Sequence, residues 1–131
     1  MNTPLTKILY VEDVPDIQVV TRMSLEAVGG FTVEQCSSGA QALQRIVALE
    51  AALMPQLILL DVMMPGLDGR EVLQALRQMP AYADIPVVFF TAKAQHEELR
   101  ALSALGVAGI LCKPFDPMTL SDQVRDIWRS L

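Results

Sequence analysis

The chain has 131 residues, 52% of them hydrophobic and 19% charged, with a net charge of −5 and a pI near 4.7. That length is one domain's worth, the apolar content excludes an intrinsically disordered chain, and the acidic balance argues against direct nucleic-acid binding, which needs a basic face. No apolar run approaches the ~18 residues that span a bilayer, the N-terminal stretch lacks the apolar segment of a signal peptide, and two cysteines, Cys36 and Cys112, are too few for a disulfide scaffold, so a soluble cytoplasmic protein without membrane contact is expected.

Residues 1–6 form an N-terminal tail and the remainder, 7–131, is expected to be one domain. Residues 7–12 are an apolar run ending in acid, which suits a strand buried on both faces. Pro15 and Asp16 then open a helix whose stripe of Ile17, Val20, Met23 and Ala27 should face inward, and Gly29-Gly30 ends it. Residues 31–36 alternate as a second strand. Ser38 is placed to cap a helix carrying Ala42, Leu43, Ile46 and Val47. Residues 56–61 are the most apolar strand, again closed by an acid, followed by a turn-rich loop over 63–69 and a helix with Val72, Leu73 and Leu76 inward. A fourth strand over 85–91, a helix over 95–105 with Leu99, Leu102 and Leu105, and a fifth strand over 107–112 come next. Asp116-Pro117 pairs an N-cap with an N1 proline for the last helix, which stripes Leu120, Val124, Ile127 and Leu131, with Trp128 beside it. Strand and helix alternate strictly, which argues for an α/β fold: a parallel sheet with helices on both faces. No second domain is expected after the fifth helix.

In an open parallel sheet, ligands bind beyond the carboxyl ends of the strands. There the first strand ends in Glu12 and Asp13, the third in Asp61, the fourth in Thr91, and the fifth in Lys113 before Pro114. Carboxylates gathered in one pocket repel unless a cation joins them. They are hard oxygen ligands, suited to Mg²⁺, and no His/Cys set stands nearby to favour zinc. A lysine at the same rim suits a phosphoryl group. A carboxylate can itself attack phosphorus to form an aspartyl phosphate, with metal and lysine offsetting the charge on the phosphoryl oxygens.

These residues, with Asp61-Val62-Met63-Met64-Pro65-Gly66-Leu67-Asp68-Gly69, Thr91-Ala92 and Lys113-Pro114-Phe115, resemble the receiver domain of two-component response regulators over nearly the whole chain. The resemblance implies a flavodoxin-like (βα)5 fold with strand order 2-1-3-4-5. It implies that Asp61 accepts a phosphoryl group from a histidine kinase or phosphotransfer protein, that Thr91 hydrogen-bonds that group and Lys113 pairs with it, and that Glu12, Asp13, Asp61 and the backbone carbonyl of Met63 hold Mg²⁺. It also implies a cis Lys113–Pro114 bond. Such a domain is not an enzyme beyond its own phosphoryl acceptance and slow hydrolysis. Its output is contact with a downstream protein, and the face of the fourth helix, fifth strand and fifth helix is the family's docking or homodimer surface. Ile110 departs from the pattern, because the family usually carries an aromatic three residues before the lysine, so a weakly switching or structural receiver stands as an alternative. So does a receiver excised from a longer regulator. The implied order puts Cys36 and Cys112 on opposite sheet edges, roughly 19 Å apart at ~4.8 Å per strand, against a disulfide limit near 7 Å.

Other readings of the same residues stay in view. Glu12-Asp13 could cap the first helix, although Asp16 is better placed for that. An aspartate-nucleophile phosphohydrolase needs a second acid two residues after the nucleophile, where this chain has Met63. A flavodoxin needs a Ser/Thr/Gly-rich phosphate loop, and Val14-Pro15-Asp16 is not one. His96, the sole histidine, fits a solvated helix start.

Overall fold

The computed structural model describes residues 3–92 and 95–131. Five parallel strands, β1 (Lys7–Val11), β2 (Thr32–Cys36), β3 (Leu57–Asp61), β4 (Val87–Thr91) and β5 (Gly109–Cys112), form one sheet in the order β2-β1-β3-β4-β5. The helices between and after them are α1 (Pro15–Met23), α2 (Gly39–Ala48), α3 (Gly69–Arg77), α4 (His96–Ser103) and α5 (Leu120–Arg129). This is the flavodoxin-like order that the resemblance implies. The chain reverses its winding direction between β1 and β3, which opens a crevice beyond their carboxyl ends.

The two-residue period of a strand divides the core. In β3, Ile58 and Leu60 join Ala42, Ile46, Val72, Leu73, Leu76 and Leu102 on the α2–α3–α4 side. Leu57 and Leu59 join Leu25, Leu120 and Val124 on the α1–α5 side. Both faces are covered, which is why β3 and β4 are buried throughout and apolar up to their terminal Asp61 and Thr91.

Three helix expectations change. In α1 the inward positions are Thr21, Ser24 and Leu25, while Val20 and Met23 are exposed and Ile17 only half-buried. The last turn widens into a π-turn, Ser24–Val28, and packs closely on α5. There Ser24 donates to the Pro117 carbonyl, and Ser121 donates to the Ser24 carbonyl at 3.0 Å. Small polar residues that satisfy one another take the buried side, so an apolar stripe misplaces it. In α5, helix geometry begins at Leu120 rather than Pro117, because Asp116 folds a preceding turn: its Oδ1 accepts from Met118 N at 2.9 Å and its carbonyl accepts from Thr119 N. Leu131, Val47 and Leu105, expected inward, are exposed at helix ends and outer faces. Ser38 caps α2 as expected, accepting from Gln41 N. The N-terminal segment lies against the sheet, with Leu5 buried and the Gln56 side-chain carbonyl accepting from Thr6 N and Lys7 N.

Candidate functional site

β1, β3 and β5 end on one side of the sheet and bring Glu12, Asp61 and Lys113 together across 101 residues of chain. Glu12 is fully buried and Asp61 nearly so. Lys113 Nζ donates to Glu12 Oε1 at 2.6 Å and stands 3.3 Å from Asp61 Oδ1, over the Phe90 ring. Carboxylate oxygens of Glu12, Asp13 and Asp61 lie within 4.8 Å of one another. Asp13 Oδ1 is buried with no hydrogen-bond partner. Burial first, then the Glu12 charge, push the Asp61 carboxyl up from 3.8 to about 6, against the opposing pull of Lys113.

The loop after β3 completes the pocket. Met63 N donates to Asp61 Oδ1 at 3.4 Å while the Met63 side chain is exposed. Gly69 approaches the Asp61 backbone so closely that a Cβ there would sit 2.6 Å from the Asp61 carbonyl oxygen. α3 starts on a capping box, with Asp68 Oδ1 accepting from Glu71 N at 3.0 Å and Glu71 Oε1 accepting from Asp68 N at 3.1 Å. Thr91 is buried at the end of β4, and Val62 N donates to the Phe90 carbonyl beside it at 3.1 Å. The Lys113–Pro114 peptide is cis.

Of the residues singled out at the strand ends, Glu12, Asp13, Asp61 and Lys113 are brought together, and Thr91 is buried at the end of the neighbouring strand β4. One detail differs: the α1 N-terminus carries no side-chain cap from Asp16, and Glu12 Oε2 instead accepts from Val14 N at 3.2 Å. His96 is exposed at the start of α4. Two neighbours were not anticipated. Gln18 Nε2 donates to the Glu12 carbonyl at 2.6 Å, and the hydroxyl of buried Tyr10 stands 3.5 Å from Glu12 Oε1. Neither contact has a signal in the sequence, since a tyrosine inside an aliphatic strand reads as core.

A doubly wound α/β domain with an acidic pocket and a lysine at its switch point is the class that fold and site define. The family of response regulator receiver domains matches residues 8–125, and the chain belongs to it. It is 35% identical over 125 residues to the DNA-binding dual master transcriptional regulator RpaA of Synechocystis, covering 95% of this chain and 50% of that one. It is 34% identical over 113 residues to a C4-dicarboxylate response regulator, DctR, of Halalkalibacterium halodurans, covering 86% and 46%. The chain thus spans about half the length of these curated relatives. Among solved structures, the chemotaxis response regulator CheY4 of Vibrio cholerae superposes with a TM-score of 0.82 at 28% identity, covering 95% of this chain and 99% of that one. The receiver domain of a signal transduction histidine kinase from Syntrophus aciditrophicus does so at 0.80 and 25% identity, covering 96% and 92%. No helix among the described residues is long and apolar enough to cross a membrane.

Proposed function

We propose that Asp61 is the phosphoacceptor of this receiver domain and that its phosphorylation requires Mg²⁺. The observation that carries the reading is the buried Asp61 carboxylate, 3.3 Å from Lys113 and within 4.8 Å of two further acids. The pocket fits a divalent cation: three carboxylates converge, and the orphaned Asp13 oxygen lacks the partner that a cation would supply. Glu12, Asp13, Asp61 and the Met63 backbone carbonyl would hold it. When bound, Mg²⁺ supplies positive charge beside the phosphoryl oxygens.

The chain's own residues do the rest. An Asp61 oxygen attacks the phosphorus of a phosphohistidine, the P–N bond breaks, and the imidazole leaves with the electron pair. Lys113 pairs with a phosphoryl oxygen, and the Thr91 hydroxyl donates to another. Water later reverses the modification by attack on phosphorus, so the domain's only turnover is of its own phosphoryl group. The donor, a histidine kinase or phosphotransfer protein, docks in the cytoplasm over the rim of the pocket. The groove beside Lys113, lined by Ile17, Val20, Ala92, Pro114 and Phe115, supports this by offering apolar contact next to the acids. Output is altered contact with a downstream protein, or with a second copy, through the α4–β5–α5 face. Ile110 is half-buried against the α2–α3–α4 core and has no ring to rotate, which favours weak switching of that face.

Intact-mass measurement after incubation with acetyl phosphate and Mg²⁺ tests the reading. One added phosphoryl group is expected in the wild type and none in Asp61→Asn or in EDTA. Equal incorporation in all three would overturn it.

A further inference from the structure

Residues 10 and 12 lie on the same side of β1, because Glu12 continues the ladder, its N–H donating to the Cys36 carbonyl at 3.0 Å. Tyr10 is fully buried there, and its hydroxyl stands 3.5 Å from Glu12 Oε1, at the long end of hydrogen-bond range. That carboxylate is otherwise held by Lys113 on Oε1 at 2.6 Å and by Val14 N on Oε2 at 3.2 Å. Lys113 faces Asp61 as well, at 3.3 Å. A phosphoryl group on Asp61 gives the same ammonium a more highly charged acceptor. As Lys113 turns toward it, Glu12 Oε1 loses its short donor while the Glu12 side chain is fully buried, where an unpaired carboxylate oxygen is costly. The Tyr10 hydroxyl stands beside that oxygen as a donor.

We propose that Tyr10 is a positioning residue: its phenol O–H takes over Glu12 Oε1 when Lys113 is drawn to the phosphoryl group, and so keeps the Glu12 carboxylate aimed at the divalent cation. The proposal rests on the phosphoacceptor reading above and adds a residue to it. The length of Glu12 belongs to the same argument, since an aspartate at this position, one methylene shorter, draws its oxygens back from the phenol.

The test compares wild type, Tyr10→Phe and Tyr82→Phe by calorimetric titration with Mg²⁺ alone and with beryllofluoride, a phosphoryl mimic, in saturating Mg²⁺. Thermal midpoints are taken in EDTA. Tyr82 is the control, a second buried tyrosine whose hydroxyl has no partner and lies outside the pocket. Tyr10→Phe is expected to weaken beryllofluoride binding roughly tenfold, the scale on which supports of metal ligands act. It should weaken Mg²⁺ alone distinctly less, because Lys113 then still holds Glu12. Tyr82→Phe should leave both affinities as they are. In a Glu12→Asp background the Tyr10→Phe change should add no further loss. Affinities within about twofold of wild type for both ligands, an equal loss for both, or an undiminished loss in the Glu12→Asp background would overturn the proposal. Failure of the wild type to bind Mg²⁺ or beryllofluoride would instead overturn the phosphoacceptor reading on which it rests.

Discussion

Asp61 is held in a place that disfavours its charge. Its carboxyl is pushed up from 3.8 to about 6, first by burial and then by Glu12. Between about pH 4 and pH 6 the folded chain therefore binds more protons at this position than the unfolded chain. Stability falls as pH rises through that window, and the penalty stays in place above it. Asparagine cannot ionise, so Asp61→Asn in EDTA should unfold a few degrees above wild type near pH 7.5 and converge with it below about pH 4. Thermal unfolding across that range checks this; a variant midpoint below wild type at neutral pH would contradict it. At this scale the strand-end positions of Glu12, Asp13, Asp61, Thr91 and Lys113 are legible in the sequence, because each polar residue closes an apolar run. Tyr10 was not readable as part of the site. An aromatic inside a strand looks like core, and only the fold shows that its hydroxyl points along the strand toward an acid.

Elements place these side chains through close backbone contacts. The start of α3 packs on the end of β3, where a Cβ on residue 69 would meet the Asp61 carbonyl oxygen at 2.6 Å and the Val62 Cα at 2.8 Å. Both obstacles are backbone and cannot swing away. Gly69→Ala should therefore cost about 1–3 kcal/mol, as overpacking does, and slow phosphorylation by displacing Asp61. Urea unfolding and the acetyl phosphate rate measure the two effects, and an unchanged rate would show that Asp61 tolerates the shift. Element types and order followed from period and punctuation in the sequence. The inward face of α1 did not. Thr21 and Ser24 are buried because the helix approaches α5 closely, and a pattern of apolar residues cannot register that contact. The start of α5 slipped for a related reason, since the Asp116 side chain caps a turn as readily as a helix.

Across the whole molecule, the strand order puts Cys36 and Cys112 on opposite edges of the sheet, and both thiols are free. Burial pushes the Cys36 thiol up to about 11, while Cys112 is exposed. Alkylation of the folded monomer should therefore modify Cys112 first and Cys36 only on unfolding, with no intramolecular disulfide in non-reducing mass analysis. The reach of the signal is a property of the same scale. With Ile110 in place of an aromatic, beryllofluoride should alter amide exchange on α4, β5 and α5 only modestly, and Ile110→Tyr should enlarge that change. Identical exchange in the two proteins would remove Ile110 from the account. The central claim is that the phosphoryl group resides on Asp61, and locating the modification tests it most directly. After incubation with acetyl phosphate and Mg²⁺, borohydride reduction converts an aspartyl phosphate to homoserine, which peptide mass spectrometry assigns to a position. The account predicts homoserine at residue 61 and only in samples given Mg²⁺; homoserine at another position, or phosphate retained on His96 with residue 61 unmodified, would contradict it.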